Sequence, residues 1–136
     1  MRVVVAMLCV ALLPVANAQT LAPTGQSLAD AATFGAVATL APLCGLRDEA
    51  WAFDLRRAAM QTATGSAATD DTGLSQAPGS GHVAAALGYA DMEALEDFAA
   101  DTPAATCASL QGNPALGRAD AAVDAFRRQR NRKPVG

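Results

Sequence analysis

The sequence predicts a small all-α protein, a bundle of four to five short helices with one disulfide. Beyond residue 18 it has no isoleucine and only four valines, while alanine and leucine are abundant. β-Branched residues favour pleated sheets, whereas alanine and leucine favour helices. Two cysteines, Cys44 and Cys107, remain after the N-terminal segment. An even number of cysteines in an exported chain predicts a bridge.

The N-terminal segment has the pattern of a secretory signal peptide over residues 1–18. Arg2 precedes an apolar run over 3–13, which is followed by Pro14 and by Ala16-Asn17-Ala18. A positive start, a short apolar stretch and small residues around the cleavage point are typical of such signals. The run is too short to cross a bilayer, which disfavours an uncleaved anchor. We therefore expect cleavage after Ala18, no transmembrane anchor in the mature chain, and a periplasmic or secreted location.

The cysteine pair follows from that location. Cys9 lies within the predicted signal, so cleavage leaves Cys44 and Cys107 in an oxidising compartment, where a disulfide is the expected state. Two buried free thiols are the alternative.

The mature chain is predicted to form one domain. Residues 19–26 carry Pro23 and Gly25 without periodicity and predict a flexible leader. Residues 27–130 are the helical domain, interrupted over 65–81 by a Gly, Ser, Thr and Asp composition that predicts a flexible loop. Residues 131–136 are predicted to be a disordered basic tail.

The first two helices have recognisable ends. Ser27 suits an N-cap, so the first helix is predicted over 28–40 and closed by Pro42. The second is predicted over 45–63, with Gly65 as its C-terminal stop.

The remaining helical pattern lies after the predicted loop. It predicts a helix over 82–87, a break at 88–90, and a helix over 92–100. The inward face of that last stretch is predicted to be Met92, Leu95, Phe98 and Ala99, with Glu93, Glu96, Asp97 and Asp101 pointing outward. A short helix after Pro103 carries Cys107 and Leu110. Asn113 followed by Pro114 predicts the start of a final helix over 114–130.

The charges are unevenly distributed. Loss of Arg2 leaves nine basic against thirteen acidic residues, and five of the nine lie in the last ten positions. They are Arg127, Arg128, Arg130, Arg132 and Lys133. These residues are candidates for contact with an anionic membrane or polymer, and a solvated chain end is the alternative reading. An acidic body without interleaved aromatic residues argues against nucleic-acid binding.

No motif predicts a catalytic residue, a metal site or a cofactor. His82 is the single histidine and has no nucleophile-elbow serine near it in sequence. The favoured interpretation is a non-catalytic binding or structural protein whose partner is a protein, an envelope component or a small apolar ligand. The alternatives are a small hydrolase using His82 and a thiol-redox enzyme using the cysteine pair.

In size, export signal and single disulfide the chain resembles the small helical acid-stress chaperones of the periplasm. That resemblance implies a protein-protecting role in the cell envelope. It rests on architecture, and no shared motif transfers functional residues.

Overall fold

A computed structural model describes residues 23–132, which form six helices and no strands. The predicted signal peptide and Lys133 lie outside these residues. The helices are α1 (Gly25–Leu43), α2 (Glu49–Thr64), α3 (Asp71–Gln76), α4 (Ser80–Ala100), α5 (Pro103–Gln111) and α6 (Pro114–Asn131). The predicted all-α bundle is confirmed.

The connection between α1 and α2 differs from the prediction. The Thr24 side chain, not that of Ser27, caps α1, and Pro42 lies within its last turn. A proline there removes only one helical hydrogen bond, so the helix continues to Leu43. Gly45 then adopts a positive φ of 66°. Leu46 N–H donates to the Ala41 carbonyl at 2.9 Å, which is the bond of a glycine-terminated helix end. Gly45 therefore ends α1 and does not begin α2.

The second helix starts later than predicted. The Asp48 side chain accepts a hydrogen bond from the Trp51 N–H at 2.8 Å and caps α2. Gly65, at φ 70°, ends it as predicted. The segment 65–81 contains α3, which the composition did not reveal. The Asp70 carboxylate caps this short helix, and its Leu74 is buried.

Residues 80–100 form one continuous helix, so the predicted break at 88–90 is wrong. A glycine inside a helix costs only about 1 kcal/mol, which tertiary packing readily offsets. The buried face of α4 is Val83, Leu87, Ala90 and Ala94. The predicted inward face is therefore also wrong, since Met92 and Leu95 are exposed and Phe98 is only half-buried.

Helix α1 runs through the middle of the core. Its C-terminal half packs with α2, α5 and α6 around Ala38, Leu55 and Val123. Its N-terminal half packs with α2 and α4 around Ala31, Ala59 and Val83. Gly35 allows the close approach of α4, because a Cβ there would lie 3.2 Å from the Leu87 carbonyl oxygen and 3.3 Å from the Ala90 Cβ.

The last two helices agree with the prediction. α5 carries Cys107 and Leu110, and the Asn113 side chain caps α6. Cys44 and Cys107 form the predicted disulfide, with 5.4 Å between their Cα atoms. Within residues 23–132 no helix combines the length and the apolar character needed to span a membrane.

Candidate functional site

The disulfide positions α5, which forms one side of the groove described below. Cys44 follows α1 directly, and Cys107 lies in the middle of α5. In α5 only Leu110 is fully buried, so this helix has little apolar contact with the bundle. The covalent link therefore holds α5 beside the C-terminal end of α1.

Two of the basic residues predicted to contact an anionic surface form ion pairs within the fold. Asp54 of α2 is only 4% exposed. Its carboxylate accepts hydrogen bonds from Arg127 and Arg130 of α6, each at 2.7 Å, and Arg57 lies 3.5 Å away. Burial opposes ionisation of Asp54, but the hydrogen bonds and charges of Arg127 and Arg130 outweigh it and lower the Asp54 pKa. Arg127 and Arg130 thus fasten α6 to α2.

The other predicted basic residues are not part of this cluster. Arg128 and Arg132 are exposed, and Lys133 lies outside the described residues. Their contact with an anionic surface stays a prediction. Of the four candidates that lie within the described residues, Arg127 and Arg130 are paired with Asp54.

A second ion pair secures the start of α2. Arg47 donates to both carboxylate oxygens of Asp120, at 2.9 and 2.6 Å, and the Trp51 indole N–H donates to the same group at 3.1 Å. The hydrogen bond from Arg47 lowers the pKa of Asp120. Trp51 is buried in the core beneath these groups, so it anchors α2 to α6.

An open groove of about 710 Å³ lies between α1, α4 and α5. Its apolar lining consists of small and aliphatic side chains. These are Ala32, Ala36, Leu40, Ala90, Ala94, Ala105 and Leu110. Alanine dominates because the helices are closely spaced, and its small side chain leaves a shallow channel along α4.

The edge of the groove is acidic. Glu93 and Asp97 of α4 and its C-cap residue Asp101 line it at four-residue intervals, and no basic residue within 23–132 is part of its lining. Among residues 23–132, none of these three carboxylates takes part in an ion pair. Like charges four residues apart on a helix repel one another. The row therefore favours binding of a positively charged group.

Neutral polar groups complete the lining. Thr33 of α1, Thr106 and Ser109 of α5, and Asn113 bring hydroxyl or amide oxygens to the groove. All can accept hydrogen bonds from an ammonium group. The groove can thus combine apolar contact, acceptors and negative charge in one channel.

The residues considered for hydrolase or redox chemistry, His82 and the cysteine pair, do not line this groove. His82 lies in the first turn of α4, roughly 16 Å along the helix axis from Glu93 at the usual rise per residue. No group of three potential metal ligands occurs within residues 23–132. The two cysteines are bonded to each other.

Sequence reasoning placed Glu93, Asp97 and Asp101 on an outward face but did not recognise a site. The four-residue spacing was visible in the sequence. The sequence did not reveal that α4 is continuous or where α5 lies, and these two features together turn a helix surface into a groove.

No protein-family model, curated protein or solved structure matches this chain.

Proposed function

We propose that this chain is an exported, non-catalytic binding protein whose α1–α4–α5 groove binds a cationic ligand with an aliphatic body. The observation that carries the proposal is the row of Glu93, Asp97 and Asp101, which have no basic partner among the described residues, above an alanine floor. Aliphatic polyamines and lysine side chains have this chemistry.

The spacing of the row supports a linear ligand. Residues four apart on a helix rise about 6 Å along its axis, so the three carboxylates follow one another along the groove. In a polyamine, short methylene chains separate charged amines. Its amines would pair with the carboxylates while its methylene groups contact Ala90 and Ala94.

Export of the protein is supported by the pattern of residues 1–18 and by the Cys44–Cys107 bridge. Disulfides persist in oxidising compartments and are rare in the cytosol. Fractionation of cells that express the full-length chain, followed by N-terminal sequencing, tests this part. A chain beginning at Gln19 in the exported fraction is the expected result. The intact Met1 chain in the cytosol, with Cys44 and Cys107 both alkylated without reductant, contradicts it.

Calorimetric titration with spermidine at low ionic strength tests the ligand class. We expect saturable binding that weakens at least about tenfold when Glu93→Gln and Asp97→Asn are combined, because two charge-assisted contacts are lost. Ala36→Leu, which fills the groove floor, should weaken binding without changing the net charge.

The matched control is Glu49→Gln combined with Asp124→Asn. Both residues are exposed and lie outside the groove, and the change in net charge is the same. Equal loss of binding in this control would mean that spermidine responds only to overall charge. No saturable binding to the wild-type protein would contradict the proposed ligand class.

A further inference from the structure

The outer face of α4 carries an apolar pattern that the described fold leaves uncovered. Six exposed positions follow one another at spacings of four, three, four, three and four. They are Gly81, Ala85, Gly88, Met92, Leu95 and Ala99. Met92 is 62% and Leu95 45% exposed, and the neighbouring Tyr89 is 78% exposed. Part of this set is the stripe that the sequence predicted to be inward.

This spacing is that of a coiled-coil seam. Alternating steps of three and four give an average repeat of 3.5 residues, which keeps one helix face against a partner helix. The buried face of the same helix, which includes Val83 and Leu87, already packs on α1 and α2. α4 therefore has two apolar faces, of which the described structure uses one.

The side-chain sizes along this seam complement those of a second copy of the seam that runs in the opposite direction. The N-terminal half has Gly81, Ala85 and Gly88, and the C-terminal half has Met92, Leu95 and Ala99. An antiparallel pair centred at Ala90 would place Gly88 opposite Met92, Ala85 opposite Leu95 and Gly81 opposite Ala99. Each layer would join a small residue to one at least as large. A parallel pair would leave glycine opposite glycine.

The charges along α4 favour the same orientation. Its N-terminus has no side-chain cap and no acidic residue in the first turn, and its last turn has no basic residue. The helix thus lacks the charges that usually complement its dipole. In the antiparallel pair Glu96 would lie beside His82 and the positive N-terminal end of the other copy. Asp91, near the centre, is already paired with Arg56 at 3.5 Å.

We propose that this chain forms an antiparallel homodimer through the outer face of α4, with its two-fold axis near Ala90. Such a self-complementary surface is what a two-fold dimer requires. One helix pair of 21 residues is a small interface, so we expect a dissociation constant on the order of micromolar. The proposed ligand groove lies on another side of α4 and remains open in the dimer.

Sedimentation velocity over a concentration series tests the association. The wild-type protein should pass from monomer to dimer in the micromolar range. Gly88→Met should abolish the dimer by placing methionine against methionine. It should leave the monomer folded, since a Cβ at Gly88 meets nothing within 4 Å. Circular dichroism at low concentration checks that folding.

The exchange variant tests the layer pairing. Combining Gly88→Met with Met92→Gly restores a small-to-large layer in the antiparallel register, so dimerisation should return. Ala125→Lys, on an exposed position of α6, is the surface control and should dimerise like the wild type. A wild-type protein that stays monomeric to millimolar concentration, or a dimer unaffected by Gly88→Met, would overturn the proposal.

Cysteine cross-linking tests the orientation. Ala85→Cys alone should not cross-link to itself, because the two copies of residue 85 lie apart in an antiparallel pair. A mixture of Ala85→Cys and Leu95→Cys chains should form the mixed dimer. Rapid self-linkage of Ala85→Cys would indicate a parallel pair and refute the proposed register.

Discussion

The carboxylates on two sides of this bundle differ in whether they are paired with arginines. Where α2 meets α6, Asp54 and Asp120 are bound by arginines at 2.6 to 2.9 Å. Along the groove between α4 and α5, Glu93 and Asp97 have no ion-pair partner within the described residues. The first side uses charge to join helices. The second has charge that a ligand can use.

The difference also shows how each side is held together. The α2–α6 contact combines apolar packing around Leu55 and Val123 with the Asp54 ion pairs. α5 buries only Leu110 completely, and the disulfide adds a covalent link to the end of α1. A binding groove needs exposed polar groups, so the helix that forms its wall has less buried area to hold it in place.

The largest expected effect comes from the disulfide. Replacing both cysteines, Cys44→Ser with Cys107→Ser, should lower the free energy of unfolding by about 4 kcal/mol, because the bridge closes a loop of 63 residues. Urea unfolding measures this loss. Adding dithiothreitol should destabilise the wild type similarly and leave the double variant unchanged. A loss below about 1 kcal/mol would show that packing alone holds α5.

Loss of the buried carboxylate comes next. Asp54→Asn should cost roughly 2 to 3 kcal/mol, because it removes the shared partner of three partly exposed arginines and buries an amide among them. Asp124→Asn, at an exposed position on α6, is the matched control and should change stability little. Equal urea midpoints for the two variants would mean that the Asp54 cluster contributes nothing specific.

A smaller effect should appear in the dependence of stability on pH. The pKa of Asp54 and that of Asp120 are lowered in the folded state, so the unfolded chain binds their protons more readily. Their contribution is fully present above the ordinary aspartate pKa of about 4 and is lost as the pH falls through the lower folded values. Unfolding free energies measured from pH 6 downward should therefore decrease below about pH 4. The decrease should be shallower in Asp54→Asn, and parallel curves would contradict this assignment.

The smallest expected effect is an increase in the free energy of unfolding, and it concerns a groove residue. Asp97→Asn should raise the free energy of unfolding by a few tenths of a kcal/mol, since it removes repulsion from Glu93 and a negative charge near the C-terminal end of α4. Thermal unfolding at low ionic strength should detect the gain, and added salt should reduce it. A destabilised variant would show that Asp97 has a structural partner.

Sequence alone determined the helical class, the ends marked by Gly65 and Asn113, and the cysteine pairing. The helical class and the helix ends depend on local preferences, and the cysteine pairing was inferred from the predicted removal of Cys9 with residues 1–18. The extent of α4 could be seen only in the tertiary structure. Gly88 would weaken an isolated helix, but it is tolerated here because the neighbouring Ala90 packs against Gly35 of α1. That continuity reversed the assignment of Met92 and Leu95 from inside to outside.

For the candidate site, too, the sequence predicted some features and the tertiary structure decided others. The basic residues Arg127 and Arg130 stood out as a run, but their binding to Asp54 depends on a contact 73 and 76 positions away in sequence. Glu93, Asp97 and Asp101 could be placed on one side of a helix from their spacing. Only the position of α5, fixed through Cys107, makes that side the edge of a groove, because a cavity is defined by elements that meet in space and not by neighbours along the chain.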